Sequence, residues 1–176
     1  MAGRSTDCTE FGRTAADYIL DLDPEMIITS GTRPGSERTD YTPDGYVEFW
    51  DLMLENGIAV GTIRDNPWPY DQDGELFNPV SCYSRTGDLA ACGMDRDWVM
   101  SPDDDAANYL AGNPNAVTMD FTDAMCPDGF CPPVIGNLYV YRDNNHLTEL
   151  FARTLTNEMR VQLAPFLEEL SARRAG

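Results

Sequence analysis

Tyr139-Val-Tyr-Arg-Asp-Asn-Asn-His-Leu-Thr148 is the stretch on which the fold of this chain turns. An apolar run, Val134 to Tyr141, with room for a bend at Gly136-Asn137, leads into it, and a long amphipathic pattern leaves it. His146 is the only histidine among the 176 residues. The pattern predicts a buried strand ending in Asp143-x-x-His146 at the start of a helix, which puts a carboxylate within reach of an imidazole. In a hydrolytic triad such an acid fixes the imidazole tautomer and stabilises the imidazolium. Spacing alone leaves another reading open, in which Asp143 caps a helix and His146 is an exposed first-turn residue. Against it, Asn144 and Asn145 would then open the helix, and both are poor helix formers. A cap at Thr148, with Asn145 the alternative, leaves 143–146 as a turn in which the two side chains meet.

Downstream, Leu147, Leu150, Phe151, Leu155, Met159, Leu163, Phe166, Leu167 and Leu170 keep one helical face, with Pro165 expected to kink the helix or start a new one. Upstream, Phe11, Ala15, Tyr18, Ile19 and Leu22 predict a helix over 9–22, capped by Asp7 or Thr9 and ended by Asp23-Pro24. Met26–Ser30 is a short buried strand opening into a loop, 31–35. Tyr46, Val47, Phe49, Trp50, Met53 and Leu54 mark a second helix, closed by Asn56-Gly57. Residues 58–63 form a second strand ending at Arg64-Asp-Asn-Pro-Trp-Pro69. A long polar connection covers 70–100. Ser101 caps a helix running to about Leu110, and 116–121 is a third strand. Helix, glycine, apolar strand and polar loop in repetition is the grammar of an α/β fold with a parallel sheet. Loops at the carboxyl ends of such strands are where sites are built. With no repeat and no low-complexity linker, residues 1–176 read as a single domain.

The formal net charge is −18, carried against twelve Arg and no Lys. A surface so acidic repels phosphate backbones, which argues against nucleic acid as a partner. No window is long and apolar enough to span a bilayer, and the first residues hold no signal-peptide core. Five cysteines are present: Cys8, Cys82, Cys92, Cys126 and Cys131. Cys82 and Cys92 share one polar loop, and Cys126 and Cys131 bracket a Pro-Asp-Gly-Phe turn. Two local disulfides with Cys8 left over fit these positions, and so do five reduced thiols. No metal site is expected, because there is neither a C-x-x-C pair nor a histidine cluster.

Tyr141-Arg-Asp-Asn-Asn-His-Leu-Thr148, preceded by Cys126…Cys131 and Val134-Ile-Gly-Asn137, resembles the final block of SGNH-family hydrolases. More narrowly it is similar to the SGNH domains fused behind acyltransferase-family-3 membrane domains, the O-acetyltransferases of bacterial surface polysaccharides. Arg64–Pro69, Cys82…Cys92 and the Cys8-bearing helix before Met26–Ser30 extend the likeness from about Thr6 to Leu170. The resemblance implies a flavodoxin-like three-layer α/β fold with a parallel sheet, disulfides Cys82–Cys92 and Cys126–Cys131, and an upstream partner for Cys8. It also implies an extracytoplasmic setting, an acyl donor, a polysaccharide or sugar acceptor, a membrane acyltransferase domain in the parent protein, and no cofactor.

The family's first strand ends in Gly-Asp-Ser, whose serine is the nucleophile. That motif does not occur here, and Gly87-Asp88 is followed by Leu89. The resemblance thus implies a domain lacking its first strands, nearly inert alone, with an exposed sheet edge that could pair two copies. In an intact relative the serine attacks an acyl donor, His146 takes its proton and Asp143 holds the ring. Ser30, Thr32, Asp65 and Trp68 follow as oxyanion or substrate candidates, with a backbone N–H or the Ser30 hydroxyl near the oxyanion. Ser30, Ser36 and Ser81 sit in no strand-to-helix elbow that would make one of them a substitute nucleophile. The competing readings are a non-catalytic carbohydrate-binding module using Trp68, Tyr70 and Trp98, and a carbohydrate esterase.

Overall fold

Residues 3–35 and 39–175 are described by a computed structural model, with backbone only for residues 3–9. The side chain of Cys8 and all of Ser36 therefore lie outside the described residues, as do the side chains of Asp7 and Thr9. The first helix, α1 (Gly3–Leu22), begins well before residue 9. Asp23, at φ 47°, ends it by donating its N–H to Ile19 O and Leu20 O. β1 (Met26–Ser30) follows, then a small antiparallel pair, β2 (Arg33–Pro34) and β3 (Asp40–Tyr41). α2 (Asp44–Glu55) leads through Asn56 and left-handed Gly57 to β4 (Ala59–Ile63).

The expected structureless connection over 70–100 is instead built of short pieces: α3 (Pro79–Thr86), α4 (Leu89–Cys92), β5 (Met94–Asp95) and α5 (Arg96–Val99). The two helices bridged by Cys82–Cys92 carry their own caps. Asn78 Oδ1 accepts from Ser81 N, and Asp88 Oδ1 from Ala90 N and Ala91 N. Single-turn and two-turn helices are too short to show a period, which is why the pattern missed them. α6 (Asp105–Leu110) is capped by Asp104, whose Oδ1 accepts from Ala106 N and Ala107 N, and not by Ser101. β6 (Ala116–Met119), α7 (Thr122–Met125) and a 3₁₀ turn at Pro127–Gly129 come next. β7 (Phe130–Cys131) pairs with β5, and Cys131 is bonded to Cys126.

The run 134–141 does not form the expected buried strand. It folds into an antiparallel hairpin, β8 (Val134–Ile135) with β9 (Leu138–Tyr139). Gly136 at φ 57° and Asn137 at φ 65° fill the two left-handed positions of a tight hairpin turn, which reverses the chain before it can join the parallel sheet. α8 (Glu149–Thr154) and α9 (Thr156–Ala175) close the described chain. The break falls at Leu155, while the helix runs through Pro165 without ending. Val161 and Pro165 both face outward, so water can reach the turn that Pro165 leaves unbonded. The predicted apolar face is also less uniform than its spacing: Phe151 and Leu170 are buried, but Leu150 is 65% exposed.

The sheet has the order β1-β4-β6, all parallel, with Ile27 opposite Val60 and Ile63 opposite Met119. Side chains alternate between its faces. Ile27, Val60 and Ala116 point to one side, where Ala16 of α1, Trp50 and Met53 of α2, and Ala106 and Leu110 of α6 cover them. Ile63 and Met119 point to the other, against Phe151 of α8 and Leu155, Met159 and Leu163 around α9. Helices on both faces of a parallel sheet make a three-layer α/β fold. Among the described residues β1 is hydrogen-bonded to β4 only, and its Ile28 is 47% exposed. Phe11, Tyr18 and Leu22 of α1 are likewise exposed and recur at helical spacing.

Candidate active site

The turn carrying Asp143 and His146 is closed by its flanks. Arg142 N donates to His146 O at 2.8 Å and Thr148 N to Val140 O at 2.9 Å. Buried Val140 and Tyr141 anchor one side, and on the other the Thr148 hydroxyl accepts from Phe151 N, capping α8. Inside the turn, Asp143 Oδ1 accepts from Asn145 N at 3.1 Å and His146 N at 2.8 Å. Asp143 thus caps a turn, and the helix starts later, at Thr148. His146 Nδ1 lies 3.0 Å from Asp143 Oδ1 and 2.9 Å from Oδ2. An ionised carboxylate can only accept, so Nδ1 carries a proton, and in the neutral ring Nε2 presents its lone pair. The backbone N–H groups of His146 first, then Asn145, hold the Asp143 carboxyl well below the usual carboxylate range. The imidazole side chain is 62% exposed. Among the described residues no side chain bonds its Nε2. This is a histidine oriented as a base and open to whatever approaches it.

A second cluster fixes the neighbouring strand end. Arg64, the first residue after β4, is buried and gripped from several sides. Its Nε donates to Asp40 Oδ2 at 2.8 Å, its Nη2 to Asp40 Oδ1 at 3.0 Å and Ser101 O at 2.6 Å, and its Nη1 to Asp120 Oδ2 at 3.1 Å. Burial works against the guanidinium charge, but Asp40 and then Asp120 more than offset it and raise its pKa. The cluster ties β3, β4, the residue after β6 and the chain before α6 to one point. It aims the next residues, Asp65-Asn66-Pro67, at the histidine turn. Asp65 N donates to the buried Thr32 hydroxyl at 2.9 Å. Burial pushes the Asp65 carboxyl up, while hydrogen bonds from Asn66 N and the Trp68 side chain pull the other way. Asn66 Nδ2 donates to Asn145 O at 3.0 Å, and the buried Tyr141 hydroxyl to Pro67 O at 2.9 Å.

The structure therefore joins Thr32, Asp65 and Trp68 in one hydrogen-bonded group that reaches Asp143 and His146 through Asn66. Gly31 allows the approach: its N–H bonds Ile63 O at 2.7 Å, and a Cβ there would stand 3.2 Å from that same oxygen. Ser30 is exposed at the end of β1 and takes no part in the group. Ser81 lies in α3, away from the turn's bonds. Sequence reasoning missed Asn66 as the connector, and Asp40 and Asp120 as partners of Arg64. A charged residue directly after a strand buried along its first four residues was the available signal for Arg64.

A family model described as "SGNH domain (fused to AT3 domains)" matches residues 2–160. Among solved structures, the periplasmic domain of a lipopolysaccharide acetyltransferase from Salmonella ser. Paratyphi A aligns with a TM-score of 0.52 and 15% identity. The alignment covers 86% of this chain and 61% of that one, and at this identity it shows a shared fold. This chain thus corresponds to less than two thirds of the length of that structure. No curated protein matches the sequence.

Proposed function

We propose, since this chain belongs to the family of SGNH domains fused to AT3 domains, that Asp143 and His146 are the acid–base part of a site that transfers an acyl group to a sugar hydroxyl. One observation carries the reading: Asp143 holds Nδ1 and leaves Nε2 open on the surface. The sequence contains no Gly-Asp-Ser, so the nucleophilic serine comes from outside the printed residues and this chain alone is nearly inert. When that hydroxyl meets His146 Nε2, its proton passes to the ring as oxygen attacks the acyl carbonyl. Asp143 stabilises the imidazolium. The proton then leaves with the departing donor group, giving an acyl-serine. In the second half a sugar hydroxyl takes the place of the donor, Nε2 accepts its proton, and the proton returns to serine as the acyl group moves to the sugar.

The group Thr32, Asp65 and Trp68 supports substrate or the forming oxyanion beside the turn, with Ser30 at its margin. The two disulfides favour an extracytoplasmic compartment, in line with the periplasmic origin of the matched structure. No helix among the described residues is long and apolar enough to cross a membrane, so tethering in this reading belongs to the membrane acyltransferase domain. The free edge of β1, with exposed Ile28, is where a further strand or a second copy would pair.

The test is a chimera in which a Gly-Asp-Ser-bearing segment from a family member precedes residue 1. It is expected to hydrolyse para-nitrophenyl acetate, and His146→Ala to lower its rate by about 10³-fold or more. A folded chimera whose rate ignores His146→Ala would refute the reading, as would the present chain hydrolysing the ester in a His146-dependent way. A non-catalytic carbohydrate-binding module is the second reading, favoured by the missing Gly-Asp-Ser, and it predicts a folded but inactive chimera.

A further inference from the structure

A cavity of about 1100 Å³ opens in the disulfide-bridged region, and neither Asp143 nor His146 lines it. Its walls carry the rings of Tyr70, Phe77, Trp98 and Phe130. Among the described residues its charged groups are Asp71, Asp73 and Asp95 against one cation, Arg85. The walls are held in place before any ligand arrives. The Trp98 indole N–H donates to Asp71 O at 3.2 Å, which fixes the ring while leaving it 36% exposed. Phe130 lies so close over Gly93 that a Cβ there would come within 2.3 Å of its ring. The Cys82–Cys92 bond locks α3 to α4, and β5–β7 pairing holds Met94 beside Cys131.

We propose that this cavity binds a neutral oligosaccharide, as a subsite for the glycan that the histidine turn would act on. Sugar rings present apolar C–H faces and hydroxyl edges together. Flat aromatic side chains match the faces, and carboxylates, which only accept, match the hydroxyl donors. Three acids against one Arg, on a chain of net charge −18, disfavour sulfated, phosphorylated or uronate glycans. The volume exceeds the roughly 300–1,000 Å³ of ordinary small-molecule pockets, so it suits several sugar residues. α3 ties the cavity to the candidate active site: it supplies Ser81 and Arg85 to the wall, and its Tyr83 meets Tyr139 edge-on at 6.4 Å. The subsite's place in a reaction rests on the acyl-transfer reading, but binding does not.

The test titrates the full chain with neutral trisaccharides of glucose, galactose, mannose and rhamnose, and with trigalacturonate, following backbone and indole N–H signals by NMR. At least one neutral trisaccharide is expected to saturate and to shift the Trp98 indole. Trp98→Ala should weaken that binding at least tenfold, while Arg160→Ala, on the exposed side of α9 and away from both sites, leaves it unchanged. Asp95 lines the cavity and makes no cap bond to α5, so Asp95→Asn probes the site without disturbing the helix, with an expected loss of several-fold. Absence of binding by every neutral trisaccharide would overturn the proposal. So would binding indifferent to both cavity variants, or equal binding of trigalacturonate. Saturable binding alongside an inactive chimera sinks the acyl-transfer reading alone, and an active chimera without binding sinks only the cavity.

Discussion

Two aspartates in this molecule each hold a cationic or basic partner, under opposite conditions. Asp40 grips Arg64 with both side chains about 95% out of water, at 5% and 4% exposure. Asp143 grips His146 with the ring 62% exposed. Neither charge in the buried pair can be removed without stranding the other, so that pair acts as architecture. The exposed pair has solvent for an alternative partner, so its geometry adds little to stability and leaves a basic nitrogen free for chemistry.

That contrast breaks most visibly at Asp40. Asp40→Ala leaves a buried guanidinium short of its main partner and is expected to cost about 3–5 kcal/mol in chemical denaturation. A loss near 1 kcal/mol would show that water reaches Arg64 freely. Removing the staple beside the cavity comes next. Cys82→Ser with Cys92→Ser opens a short loop, and the chain-entropy argument gives about 2–3 kcal/mol, read from the shift in denaturation midpoint. Thr148→Ala removes the cap that starts α8 and should cost about 1 kcal/mol. Asp143→Asn is expected to disturb stability least of these while lowering the chimera's rate by about 10³–10⁴-fold, because the ring then loses its tautomer.

The pH dependence sharpens the same contrast. Asp143's folded pKa is depressed, so its contribution is fully present above the ordinary carboxylate value. It is lost as pH falls toward the lower folded value. Carboxyl carbon shifts should therefore show Asp143 still ionised at a pH within the ordinary carboxylate range, where an unshifted carboxyl would already be protonating.

What the sequence shows of each pair follows from chain distance. Asp143, His146 and Thr148 are within a few residues of one another, and the turn's bonds are local, so spacing and cap chemistry sufficed. Asp40 and Asp120 stand 24 and 56 residues from Arg64, and only the folded sheet brings them together. Parallel strands Met26–Ser30 and Ala59–Ile63 were legible as short apolar runs between helices. The hairpin at Gly136-Asn137 was not, because the apolar residues around it fit a single strand as well as two. Its Gly-Asn dipeptide was the signal to weigh more heavily. The small helices of 79–99 are set by individual caps and a disulfide, and such determinants leave no periodic trace.

From Thr32, just beyond the open margin of the sheet, contacts pass to Asp65, across one peptide to Asn66, and on to the carbonyl of Asn145, next to the imidazole. A strand laid alongside β1 would not have to touch His146 to be felt there. The Thr32 end of β1 and the histidine turn thus sit at the two ends of one hydrogen-bonded path, although Asp143 alone already holds the ring.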